Sequence, residues 1–140
     1  ESRYSNLGVS ATIPPFESYA FKLDTTAPTV DNSSPYDCNC GSSSPLDISV
    51  TFSEIMDETT ITTNTSNTSC SGTFQISLDN FNTCVQMTGL SFTISDSYKT
   101  FTLKSVVLSI STTYKFRVTS GAKDVAGNSL TSMTAIDIRI

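Results

Sequence analysis

The chain contains no histidine and no tryptophan. Without histidine it lacks the commonest general base near neutral pH and the commonest metal ligand. A Ser-His-Asp hydrolase triad is therefore excluded, however many serines are present. Without tryptophan it lacks the strongest side chain for stacking on sugars and cations. Charge is also sparse, at 15% of residues. The eight basic residues are scattered, and only Lys115 and Arg117 come close together. No basic patch emerges, which argues against nucleic acid as a partner. No apolar run approaches the roughly 18–20 residues of a membrane helix. Helical periodicity is nearly absent. No signal peptide is visible, so the sequence reads as cytosolic, already mature or cut from a longer protein.

What is present is a 140-residue acidic chain of net charge -5, rich in serine and threonine. Its length allows one domain with a real core plus an arm. The acidity reads as solubility. Threonine favours strands and serine suits turns, and a polar surface with few charges fits an extracellular protein. Four cysteines in such a chain point to an oxidising compartment. They do not suit zinc: Cys38-x-Cys40 is tighter than the usual knuckle, and Cys70 and Cys84 lie far apart in sequence. As bridges, Cys70 with Cys84 would close a loop of about 15 residues, worth roughly 3 kcal/mol. Cys38 and Cys40 remain. A bridge across one residue is strained, so crossed pairings stay open.

Period-2 alternation is the dominant signal. Leu46, Ile48, Val50 and Phe52 point one way, and Asp47, Ser49, Thr51 and Ser53 the other. That predicts a central strand with one buried face. Further strands are predicted at Val30, near Ile61, at 73–78 with Phe74, Ile76 and Leu78 inward, and at 84–87. Others follow at 92–94, 100–103, 114–118 and 136–140. The apolar stretch 106–110 should cap one end of the core. Such short strands need a second sheet to cover their apolar faces, which points to a sandwich of about seven strands.

Ahead of it lies an arm, residues 1–23. Leu7, Val9, Ala11 and Ile13 alternate, Pro14-Pro15 interrupts, and after Phe16 the residues Tyr19, Phe21 and Leu23 alternate again. Residues 24–28 read as a linker, and 29–140 as the sandwich. An apolar arm of this kind seeks a sheet edge.

The motifs Asp24-Thr-Thr-Ala-Pro-Thr-Val30, Ser34-Pro35, Ile48-Ser-Val-Thr-Phe-Ser-Glu-Ile-Met-Asp57, Thr113-Tyr114 and Lys123-Asp-Val-Ala-Gly-Asn128 occur in that order. Over residues 24–140 the chain resembles the bacterial Ig-like domain of surface-layer and other cell-surface proteins. The resemblance implies an all-β, Ig-like antiparallel sandwich used as a repeated spacer or adhesive module, without catalysis. The insertion carrying Cys70 and Cys84 departs from the shortest members, so loop functions do not carry over. Phe21-Lys22-Leu23 also echoes Ile138-Arg139-Ile140, as if the arm were the last strand of a preceding domain.

Residues with chemistry to offer read as turns. Glu54 and Asp57 flank the end of the central strand, but two carboxylates fall short of a calcium loop. In Asp124-Val-Ala-Gly-Asn128, Gly127 and Asn128 are what a tight turn needs. Neither a catalytic residue, a cofactor nor a metal is expected. Asn32, Asn64 and Asn67 each open an N-glycosylation sequon, and the Ser/Thr clusters could carry O-linked sugar. The expected function is a structural subunit of an extracellular fibre or surface assembly. It would self-associate head to tail by strand addition, through Leu7, Val9, Ala11, Ile13, Phe16, Tyr19, Phe21 and Leu23. The alternative is an adhesin or spacer repeat of a longer cell-surface protein. Its loops 32–45 and 59–72 would then meet a protein or glycan ligand.

Overall fold

The computed structural model describes residues 23–35 and 44–140. Seven strands form in chain order: β1 Val30–Ser34, β2 Leu46–Phe52, β3 Phe74–Ser77, β4 Phe92–Ser95, β5 Thr100–Val106, β6 Thr113–Val118 and β7 Ile136–Arg139. One sheet has the order β1-β2-β5-β4 and the other β3-β6-β7. Every pairing is antiparallel. This is the two-sheet sandwich that the alternation predicts, with the Ig-like architecture that the resemblance implies. Short strands with one apolar face are stable only when two such faces close on each other.

The Leu46–Phe52 strand is central to its sheet, and Ile48, Val50 and Phe52 are buried. Aromatic rings then join the two layers. Phe52 meets Phe101, Phe101 meets Phe92, and Phe92 meets Phe74 of the opposite sheet at 4.8 Å, edge to face. Phe74 continues to Phe116. Pairs of this geometry add about 0.5–1.5 kcal/mol each beyond the burial of their area.

Several expectations need correction. Leu78 does not face the core: it is 62% exposed. The strand ends at Ser77, whose hydroxyl accepts from the backbone N–H of Asp79 and of Phe81. The alternation lapses there and Leu78 leaves the sheet. Gln75 and Ser77, polar and expected to face water, are buried. Gln75 is satisfied by Gly72 O and by the Arg117 Nε–H, and burial without loss requires such partners.

Residues 84–87 form no strand, although Val85 N–H donates to Ile76 O and so runs beside β3. Near Ile61 there is a 3-10 turn, Glu58–Thr60, in place of a strand. The stretch 106–110 caps the core only in part. Val106 and Leu108 are buried and Val107 between them faces out, as an extended chain alternates, while Ile110 faces out because the chain has entered the turn there.

The chain crosses the sandwich from end to end. Residues 24–28 enter at one pole, where Pro28 O accepts from Thr131 N–H. Ile140 lies at the other, where its carbonyl accepts from Ser111 N–H beside the turn joining β5 to β6.

Candidate functional site

At the entry pole four segments meet: residues 24–28, the stretch 53–57 after β2, the turn 96–99, and the loop 124–128. Each is placed by a distinct local cause. After Phe52 the alternation breaks because Ser53 N–H bonds back to Thr29 O and Met56 N–H to Tyr98 O. Met56 is thereby turned into the core, where it is 1% exposed. Asp57 then caps the 3-10 turn: its Oδ1 accepts from Thr59 N–H at 3.0 Å and from Thr59 Oγ1 at 2.7 Å. The Ser-Glu-Ile-Met-Asp motif is thus a plug and a cap.

The loop 124–128 closes on itself. Asp124 Oδ1 accepts from Asn128 N–H at 2.8 Å, and Oδ2 from Asn128 Nδ2 at 3.0 Å. Gly127 sits at φ +92, a conformation side chains rarely adopt. The turn expected from Gly127 and Asn128 is present. Asn128 has a second task, since Nδ2 also donates to Asp24 O at 3.0 Å. The loop therefore clamps the entering chain to the body of the domain.

That clamp brings together three carboxylates, Asp24, Glu54 and Asp124, whose oxygens lie within 4.8 Å of one another. Asp124 is buried, Glu54 half-buried and Asp24 exposed. Glu54 Oε2 is shut off from solvent and accepts no hydrogen bond. Burial, first, and the negative charges of Asp24 and Asp124, second, hold the Glu54 carboxyl above its ordinary pKa. Hard oxygen donors of this kind are what could hold a cation here, and at one converging oxygen per residue they supply three of the roughly 6–8 that calcium takes. Glu54, read from sequence with Asp57 as part of a turn, meets Asp24 and Asp124 instead. Asp24 read as mere linker, and nothing local to it marks the role. Only the loop that holds its carbonyl explains its position.

The remaining sequence candidates fall elsewhere. Cys70 and Cys84 are disulfide-bonded. Cys38 and Cys40 lie outside the described residues, as do Leu7, Val9, Ala11, Ile13, Phe16, Tyr19 and Phe21 of the arm. Leu23 is described and is largely exposed. Of the three sequons, Asn64 is unusable in the folded domain. It is fully buried, its Nδ2 donates to Ser66 O and Val85 O, and its Oδ1 accepts from Ser71 N–H at 2.7 Å. Asn32 and Asn67 are exposed. The loop 59–72 is thus pinned from inside by Asn64 and from outside by the disulfide. Gly72 completes the pinning, because a Cβ there would meet Thr63 O at 2.4 Å.

Concavities on the described surface are modest. One of about 180 Å³ is lined by Val85, Met87, Leu90 and Val106 among others, and one of about 310 Å³ lies at the entry pole between Ile55, Tyr98 and Val125. Among the described residues, no helix is long and apolar enough to cross a membrane. A family model described as bacterial Ig-like domain matches residues 24–138. No curated protein matches the chain.

Proposed function

The chain belongs to the bacterial Ig-like domain family, and from that premise we propose that it is a structural subunit of an extracellular surface assembly, joined to its neighbours head to tail. Domains of this family are usually found in cell-surface proteins as repeats or spacers, and they are typically non-catalytic. The disulfide agrees with an oxidising setting. In this reading residues 1–23 are an arm that adds a strand to the neighbouring subunit. Backbone bonds would give affinity, and alternate side chains from Leu7 to Leu23 would fill pockets.

The observation that carries the proposal is the path of the chain. Residues 24–28 are clamped at one pole through Asn128, and Ile140 lies at the opposite pole. A domain entered and left at opposite ends spaces its neighbours along one axis. Contacts of that heterologous kind build filaments when they do not close into a ring. The test is removal of residues 1–23, followed by sedimentation and electron microscopy. Loss of assembly with unchanged unfolding of the domain is expected. Assembly that survives the deletion would refute the role of the arm.

A further inference from the structure

All seven large hydrophobic side chains that are exposed among the described residues lie at the two poles. Leu23, Ile55, Tyr98 and Val125 are at the entry pole, where Val125 N–H bonds to Ile55 O and Met56 N–H to Tyr98 O. Leu78, Val107 and Ile110 are at the exit pole, beyond the Ser77–Lys115 and Leu46–Val106 pairs that end β3 and β5. Outward residues on the sheet faces, such as Thr93 and Thr102, are polar. Single exposed apolar residues are ordinary, but their confinement to two opposite ends needs a cause.

We propose that the entry pole is the seat of the exit pole of a second copy of this domain. The proposal rests on the head-to-tail reading above and names its contact surface. Ile55, Tyr98 and Val125 line a concavity of about 310 Å³ together with Asp57 and Glu58. Val107 and Ile110, at 73% and 76% exposure, are apolar side chains of a size to enter it.

Charge decides which poles meet. The entry pole carries the carboxylates of Asp24, Glu54, Asp57, Glu58, Asp96 and Asp124 against Lys99 and Lys123. Two entry poles face to face would repel, and like-charge juxtaposition is costly at an interface. At the exit pole the carboxylates of Asp47 and Asp137 are ion-paired, to Lys104 at 3.4 Å and Lys115 at 2.9 Å, and that of Asp79 accepts hydrogen bonds from Ser77 and Thr83. Unlike poles therefore meet. The arm reaches the domain at this same seam: 22 residues precede Leu23, enough to run up to roughly 70 Å along a neighbour placed there.

The test is a photo-crosslinking residue in place of Val125 in the full chain, with crosslinked peptides mapped at increasing protein concentration. Intermolecular crosslinks to residues 107–111 are expected. Crosslinks to residues 1–22 of the same chain, crosslinks to the entry pole of another copy, or none at millimolar concentration would each overturn the contact. A second measurement uses Val125→Asp and Ile110→Asp, both at exposed positions. Each should weaken self-association about tenfold by burying an unpaired charge, and Thr93→Asp on a sheet face should not. Assembly that survives Val125→Asp but is lost without residues 1–23 overturns the pole contact and leaves the head-to-tail reading standing. Assembly indifferent to both changes overturns the reading itself.

Discussion

Asn64→Ala should be among the most destabilising changes outside the aromatic core. Asn64 is a polar residue at zero exposure, and its amide satisfies three backbone groups: Ser66 O, Val85 O and Ser71 N–H. Alanine leaves all three without that partner. An orphaned buried donor or acceptor costs about 1–3 kcal/mol. Ser66 and Val85 are half-buried and Ser71 is exposed, so each of the three groups regains some water. At about 1 kcal/mol each, the low end of that range, the three together cost about 3 kcal/mol. In a domain of this size roughly 3–4 °C of Tm accompanies each kcal/mol, so a fall of about 10 °C is expected.

Asn67→Ala, three residues on in the same loop and exposed, should change stability by less than about 0.5 kcal/mol. The assay is urea unfolding of both variants with the disulfide intact, and a shift in midpoint at constant slope identifies a change in stability alone. Equal, small effects would refute the reasoning. They would mean that the loop 59–72 is not pinned through Asn64 and is free to adapt to a ligand.

Three further outcomes are expected. Phe74→Ala should cost about 4 kcal/mol, because a fully buried ring that bridges the sheets is lost. Leu78→Ala should cost less than about 0.5 kcal/mol, and urea titration of the pair separates burial from mere sequence alternation. Glu54→Gln should raise stability at neutral pH, since the folded state holds the Glu54 proton more tightly than the unfolded chain does. The cost of ionising it sets in as pH rises above the ordinary value of 4.5, and is complete above the raised folded value. The gain should therefore vanish in acid, and a gain that is the same on both sides of that window would contradict the assignment. Replacing Cys70 and Cys84 together by alanine should cost about 3 kcal/mol, read as a shift in thermal midpoint, and a change under about 1 kcal/mol would mean that Asn64 alone closes the loop.

The strands with one wet face were legible in sequence. Ile48, Val50 and Phe52, and later Tyr114, Phe116 and Val118, alternate with polar neighbours and are buried. Their side chains meet different environments on the two faces, so the period survives in the sequence. β3 was less legible. Its outer face is covered too, and Gln75 and Ser77 are buried through hydrogen bonds that no hydropathy pattern records. The carboxylate cluster was illegible for another reason. Asp24, Glu54 and Asp124 come from three distant parts of the chain, and each sits in a motif that makes local sense as linker or turn. Asp57, the other acid of the Ser-Glu-Ile-Met-Asp motif, caps Thr59, so the motif contributes one carboxylate to the cluster and not two.

The route of the chain through the domain also has a mechanical side. A pull between residues 24–28 and Ile140 acts on β1 along its own length, away from the Ser34 end, while β2 holds it by the ladder from Val30–Phe52 to Ser34–Ser49. The same pull acts on β7 toward Ile140, against the ladder with β6. Both ladders are loaded in shear, so their hydrogen bonds bear the force together and do not open one after another. Asn128, which ties the entering strand to the loop 124–128, shares the load before β1 does. A pull along this route would thus be resisted at a rate set by how fast whole ladders yield.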